Sequence, residues 1–146
     1  MLSNERLVRV QWGDCDPAGI VYYPRYFEWI DASTILLFEK ATGLTKIKML
    51  ERYGGAGLAL LEARAVFKAA SQFGDDLKIE TEITEFRRTT FFVAHRFTRA
   101  DGTLGLEAFE TRLWTVRDPQ SGRIKAGDMP ADVIAAFGAP AIPGAS

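Results

Sequence analysis

Pro24 to Thr42 reads PRYFEWIDASTILLFEKAT, and its periodicity decides the architecture. Pro24 suits the first turn of a helix, where its missing N–H is harmless. Apolar residues then fall at Tyr26, Phe27, Trp29, Ile30, Ile35, Leu36, Leu37, Phe38 and Ala41, and Gly43 follows as a C-terminal stop. These positions cover most of the helix circumference and leave a narrow polar stripe through Arg25, Glu28 and Glu39. A helix this apolar is buried rather than laid on a surface, so the rest of the chain has to wrap it.

The flanking sequence supplies the wrapping. Arg6 to Trp12 reads as a short strand, and Leu44 to Tyr53 as a short amphipathic helix closed by Gly54 and Gly55. Four strand-like runs follow. Ala59, Leu61, Ala63, Ala65 and Phe67 share one parity, and so do Leu77, Ile79, Thr81 and Ile83. Phe91, Val93, His95 and Phe97 form a third face, and Leu104 to Val116 a fourth, with Asp101-Gly102 as a hairpin turn between the last two. Pro130 to Phe137 reads as a terminal helix. The expected fold is therefore α+β, an antiparallel sheet around one long central helix. Residues 1–137 form one domain, and 138–146 (GAPAIPGAS) read as a flexible tail.

Composition narrows the chemistry. The 146 residues carry 18 Lys+Arg and 19 Asp+Glu, a formal net charge of −1, which argues against a nucleic-acid partner. One cysteine, Cys15, excludes an internal disulfide, and one histidine, His95, excludes a two-His metal site within the chain. No apolar run approaches the roughly 18 residues of a membrane span. Met1 to Val10 (MLSNERLVRV) shows no secretory h-region, so a cytoplasmic protein without a membrane partner is expected. No metal and no separate cofactor are expected either. The chemistry falls to carboxylates, backbone amides and arginines.

The densest polar constellation precedes the long helix: Asp14, Asp16, Pro17 and Gly19, within GDCDPAG. Both aspartates suit caps and turns. A loop feeding a helix N-terminus also presents free N–H groups that polarise a carbonyl and stabilise an oxyanion. A carboxylate beside them attacks that carbonyl or activates water. Cys15 lies between two carboxylates with no activating base, and is read as structural. His95 shares the parity of Phe91, Val93 and Phe97 and reads as a hydrogen-bonded sheet-face histidine. Trp12, Trp29 and Trp114 read as core or interface.

Trp12 to Gly43 (WGDCDPAGIVYYPRYFEWIDASTILLFEKATG) closely resembles the 4-hydroxybenzoyl-CoA thioesterase family, which has the hot-dog fold. The shared pattern is G-D-x-D-P-x-G-[apolar]-V-x-Y-P-x-Y followed by a long apolar helix. Phe67, Gly74, Asp75, Leu77, Ile79 and the E-F-R-R segment match more loosely. The resemblance implies acyl-CoA thioester hydrolysis, with CoA as part of the substrate. Asp16 would be the catalytic carboxylate, as nucleophile or general base. Tyr23 would offer its backbone N–H to the carbonyl oxygen, and Gly19 would let the loop approach the acyl group. Asp31 aligns with a contact to the ring hydroxyl of an aromatic acyl group; by pattern alone it is a stripe residue. Arg87 and Arg88 align with a basic cluster that meets the CoA phosphates, and by pattern alone they are a solvated hairpin corner. The cluster's third position, basic in close relatives, is Thr89 here, a departure that bears on one phosphate contact. The family places its sites where subunits meet, which implies a homo-oligomer, a dimer or dimer of dimers.

Three other readings share the scaffold. One is hydrolysis of short aliphatic acyl-CoA or acyl-carrier-protein thioesters. Another is a non-catalytic acyl-CoA binding module, which has no need of Asp16 beside an oxyanion site. A hydratase generally pairs an acid with a histidine, and His95 is far from the loop in sequence.

Overall fold

The computed structural model describes residues 1–143. Strand β1 (Ser3–Arg9) leads through a 3-10 turn at Trp12–Asp14 to the long helix α1 (Pro24–Thr42), followed by α2 (Lys46–Tyr53). Strands β2 (Gly57–Phe67), β3 (Asp76–Phe86), β4 (Thr90–Arg99) and β5 (Leu104–Arg117) come next, then β6 (Ile124–Ala126) and α3 (Ala131–Ala136). The strand order is β1-β3-β4-β5-β2, every pairing is antiparallel, and β6 pairs with β5. This is the expected α+β hot-dog arrangement of one sheet curved over one long helix.

The helix boundaries follow from local chemistry. Pro24 opens α1, and Gly43 closes it in the left-handed conformation at φ 70°. The Thr45 hydroxyl accepts from the Lys48 N–H to start α2. Gly55, just past α2, is required by packing: a Cβ there would stand 2.5 Å from Trp114 Cζ2.

The core-facing parities are those expected for β3 and β4. Leu77, Ile79, Thr81 and Ile83 are buried, as are Phe91, Val93, His95 and Phe97. On β5 the buried set is Leu106, Ala108, Glu110, Arg112 and Trp114, so two charged residues share the parity of the core. The apolar core forms two clusters. One gathers Phe38, Met49, Phe91, Trp114, Met129 and Phe137 beside α2 and α3. The other gathers Val10, Val21, Tyr26, Ile30, Leu77 and Phe97 near the loop that precedes α1. Thr34, Thr81, His95, Glu110 and Arg112 make a buried polar band at their junction.

Several expectations change. β1 spans Ser3–Arg9 rather than Arg6–Trp12, because its pairing with β3 runs from Ser3↔Glu82 to Arg9↔Asp76. That register turns Leu7 to solvent and Arg6 inward. Arg6 Nε donates to Ser33 Oγ at 2.9 Å and Nη2 to the Trp29 carbonyl at 3.1 Å, which ties β1 to α1. The sheet of one chain covers one face of α1 rather than most of it. Tyr26, Ile30, Ser33, Thr34, Leu37 and Phe38 are buried, while Phe27, Trp29 and Ile35 are half-buried and Leu36 is exposed. Strand β6 carries no alternation that would announce it, since all three of its residues are exposed. The tail is partly docked: Ala139 and Ile142 pack against the first cluster, and residues 144–146 of the expected 138–146 tail lie outside the described residues. No helix among the described residues is long and apolar enough to cross a membrane.

Candidate active site

The segment between β1 and α1 is a compact loop fixed by its own backbone. Val10 N–H donates to the Asp75 carbonyl and Gly74 N–H to the Val10 carbonyl, which anchors the entry. Asp14 is structural, as its capping pattern implies: Oδ2 accepts from Gln11 N–H at 2.8 Å, and the Asp14 carbonyl accepts from Tyr22 N–H at 2.8 Å. Cys15 and Val21 form an antiparallel bridge, and Asp16 N–H donates to the Ile20 carbonyl.

The tip of this hairpin is Asp16-Pro17-Ala18-Gly19. Gly19 N–H returns to the Asp16 carbonyl at 2.9 Å, with Pro17 at the position that favours its fixed φ. Gly19 sits at φ 82°, a conformation that glycine alone enters freely. It makes the turn behind Asp16, while its neighbour Ile20 lines the cleft. The Asp16 carboxylate is oriented by its own turn, with Oδ1 accepting from Ala18 N–H at 2.8 Å. Among the described residues, Oδ2 has no hydrogen-bond partner.

Asp16, Tyr22, Tyr23 and Tyr26 line one cleft of about 530 Å³, closed on the other side by Phe67 to Ser71. Tyr23 is the N-cap of α1. Its carbonyl accepts from Tyr26 N–H, but among the described residues its own N–H has no acceptor. An open donor at a helix N-terminus thus shares a cleft with a half-free carboxylate. Tyr26 forms the buried floor, ringed edge-on by Trp29, Phe67 and Phe97 at centroid distances of 5.5–5.7 Å. Burial pushes its phenol up, against a hydrogen bond with Ser71.

Asp31 is not on this cleft. It projects from the middle of α1, and its Oδ1 accepts from Arg112 Nη2 at 2.7 Å. It is neither a bare stripe residue nor a free group. Arg87, Arg88 and Thr89 lie in the β3–β4 turn, at the opposite end of β3 from Asp76, and a strand of that length spans roughly 33 Å. Arg87 pairs with Glu85 at 3.0 Å and covers the Phe92 ring at 4.7 Å. Arg88 pairs with Asp128 at 2.9 Å. One chain therefore brings Asp16, Gly19 and Tyr23 together and leaves Asp31 and the arginine corner apart from them.

Comparison with known proteins now bears on the site. The family model of the thioesterase-like superfamily matches residues 10–137. The chain belongs to this superfamily. It is 37% identical over 132 residues to a 4-hydroxybenzoyl-CoA thioesterase of Pseudomonas sp. (strain CBS-3), covering 86% of this chain and 91% of that one. An acyl-CoA thioester hydrolase YbgC of Escherichia coli O6:H1 is 30% identical over 139 residues, covering 89% and 92%. The solved 4-hydroxybenzoyl CoA thioesterase from Pseudomonas sp. strain CBS-3 superposes with a TM-score of 0.83 at 34% identity, over 92% of this chain and 98% of that one. The chain is an acyl-CoA thioesterase, a thioester hydrolase.

Two residues of this thioesterase escaped the sequence reading. Glu110 and Arg112 sit on β5 at the parity of Ala108 and Trp114. The available signal was the pair of opposite charges two residues apart on an otherwise apolar face. The cleft residues Lys68, Ala69, Ala70 and Ser71 carry no local signal, because they reach the site only through the β2–β3 connection.

Proposed function

We propose that the enzyme hydrolyses an aromatic acyl-CoA of the hydroxybenzoyl kind, with Asp16 as the reacting carboxylate. The observation that carries the reading is the shared cleft of the Asp16 carboxylate and the open Tyr23 N–H. The thioester carbonyl oxygen takes the Tyr23 N–H, which is strengthened by the α1 dipole as negative charge develops on that oxygen. In one route Asp16 attacks the carbonyl carbon, CoA thiolate leaves, and water cleaves the resulting anhydride. In the other, Asp16 takes a proton from water as that water attacks. Either route yields the free acid and CoA and uses neither metal nor cofactor beyond the substrate. Gly19 shapes the turn that presents Asp16.

The substrate's far parts are assigned to a second copy of the chain. β2 is the open edge of the sheet, and Leu60, Leu61, Val66 and Phe67 on it are exposed. An uncovered apolar edge of this length is a template for strand addition. Antiparallel pairing of two β2 edges brings the Phe67 end of one subunit, beside its cleft, to the Gly57 end of the other. The β3–β4 turn lies at that second end, since Thr90 and Ala59 both pair with Leu113. The partner's Arg87, Arg88 and Thr89 then meet the CoA phosphates, for which paired guanidinium groups are suited. Asp31 contacts the acyl ring's hydroxyl. The assembly is a homodimer or a dimer of dimers.

The test is thiol release from 4-hydroxybenzoyl-CoA, benzoyl-CoA and a short aliphatic acyl-CoA, with native enzyme and Asp16→Asn side by side. Hydroxybenzoyl turnover that is fastest of the three, and collapses in the variant, is expected. Unchanged turnover in a correctly assembled Asp16→Asn protein would remove Asp16 from the mechanism. A preference for the aliphatic thioester would replace the aromatic reading.

A further inference from the structure

The buried face of β5 holds two charged side chains that the hydrolysis above does not use. Glu110 and Arg112 are 2% and 5% exposed at their side chains. Glu110 Oε1 accepts from Thr34 Oγ1 at 2.5 Å and pairs with His95 Nε2 at 2.9 Å. Glu110 Oε2 accepts from Arg112 Nε at 3.0 Å and from Nη2 at 2.5 Å. Arg112 Nη1 donates to the Leu58 carbonyl at 3.0 Å. The guanidinium is thereby held in place by two strands and, through Thr34, by α1.

The chain of contacts ends at the surface. The last donor bond runs from Arg112 Nη2 to Asp31 Oδ1 at 2.7 Å, and the Asp31 side chain is 63% exposed. An aspartate that exposed on a helix is ordinarily free to change rotamer. Here one oxygen is held by a buried, immobile fork, and Oδ2 has no partner among the described residues. A buried ion pair adds little stability over apolar side chains of similar volume, so the consequence of this arrangement is directional. It presents one acceptor oxygen at a fixed place beside the β2 edge.

We propose that Arg112 is a positioning residue for acyl selectivity. It fixes Asp31 as a rigid acceptor, so the enzyme favours thioesters whose acyl group carries an O–H or N–H donor at its far end. The inference rests on the reading of Asp31 as an acyl contact. A donor lost from the substrate leaves that oxygen unpaired in the closed site, which is where discrimination by hydrogen bonding is strongest.

The experiment compares kcat/KM for 4-hydroxybenzoyl-CoA and benzoyl-CoA in the assembled native enzyme, Arg112→Lys and Asp31→Asn. Lysine keeps the charge and lacks the planar fork. Arg112→Lys is expected to lower the hydroxybenzoyl-to-benzoyl ratio about tenfold, a change of one decade in relative binding. The loss should lie in the KM of the hydroxylated substrate. Equal losses on both substrates, or a fall confined to kcat, would make Arg112 merely structural and overturn the proposal. If Arg112→Lys does not assemble, Glu110→Gln loosens the same guanidinium from behind, and an unchanged ratio there overturns it as well. A ratio that moves in Asp31→Asn but in neither of the others refutes the role of Arg112 and leaves the Asp31 contact standing. A ratio that Asp31→Asn leaves alone refutes both.

Discussion

His95 Nε2 and Glu110 Oε1 stand 2.9 Å apart with both side chains shielded from solvent. An ionised carboxylate only accepts, so Nε2 donates to it, and His95 Nδ1 shares a hydrogen bond with the Thr81 hydroxyl at 2.9 Å. The chain's single histidine is thus fully satisfied on the sheet face, between β3 and β5. It has no free nitrogen to offer the cleft, which removes it from the hydrolysis.

That pairing predicts an acid sensitivity. Burial pushes the Glu110 carboxyl up, but hydrogen bonds from His95, Arg112 and Thr34 and the Arg112 charge outweigh it and leave it below its ordinary value. A carboxyl depressed in the folded chain contributes stability above its unfolded pKa of about 4.3, and the contribution is lost as pH falls through the folded value. Glu110→Gln should therefore cost about 3 kcal/mol at neutral pH, as removal of one partner of a buried pair does. The gap from native enzyme should narrow as pH falls below the ordinary carboxylate range and native Glu110 also gains its proton. Urea midpoints at fixed protein concentration measure it, and a gap that stays constant as pH falls contradicts the assignment.

Tyr23 predicts a loss that no side-chain truncation would produce. Its φ of −54° lies within the range of proline. Tyr23→Pro deletes the N–H while keeping that torsion. Loss of one oxyanion donor lowers kcat by about 10²–10³, and single-turnover thiol release from the assembled variant reads it. A rate within a few-fold of native would place the oxyanion elsewhere.

Gly55 predicts a packing failure. A Cβ at that position meets Trp114 Cζ2 at 2.5 Å and Leu50 Cδ2 at 2.9 Å, and Trp114 is among the fully buried side chains. Gly55→Ala should destabilise by about 1–3 kcal/mol through overpacking, with a changed near-ultraviolet signal from the displaced indole. A Tm equal to native would show that the α2–β2 connection yields instead.

The elements were legible where one short-range rule governs them. Pro24 and Gly43 bound α1 as the sequence implies, and the alternation of Leu77 to Ile83 and of Phe91 to Phe97 predicts which side chains are buried. The GDCDPAG loop was readable as well, since a turn, a bridge and a helix cap lie within a dozen residues. Legibility failed where partners are distant. β1 has an apolar residue at Leu7 that its register with β3 turns outward, and an arginine at 6 that the same register turns onto α1. Phe109 and Leu113, apolar in sequence, share the parity opposite to Trp114, and the charged Glu110 and Arg112 take the buried one.

By itself the sequence determined the α+β class, the span of the central helix and the acidic GDCDPAG loop that feeds its N-terminus. Each rests on periodicity, caps and turns acting over a few residues. The tertiary structure alone decided that Asp31 would meet Arg112, 81 positions away, and that Arg87 and Arg88 would stand at the far end of the sheet from Asp16. Contacts at such separations depend on the register of β1, β3, β4, β5 and β2 and on where α1 crosses them, and no local pattern encodes either.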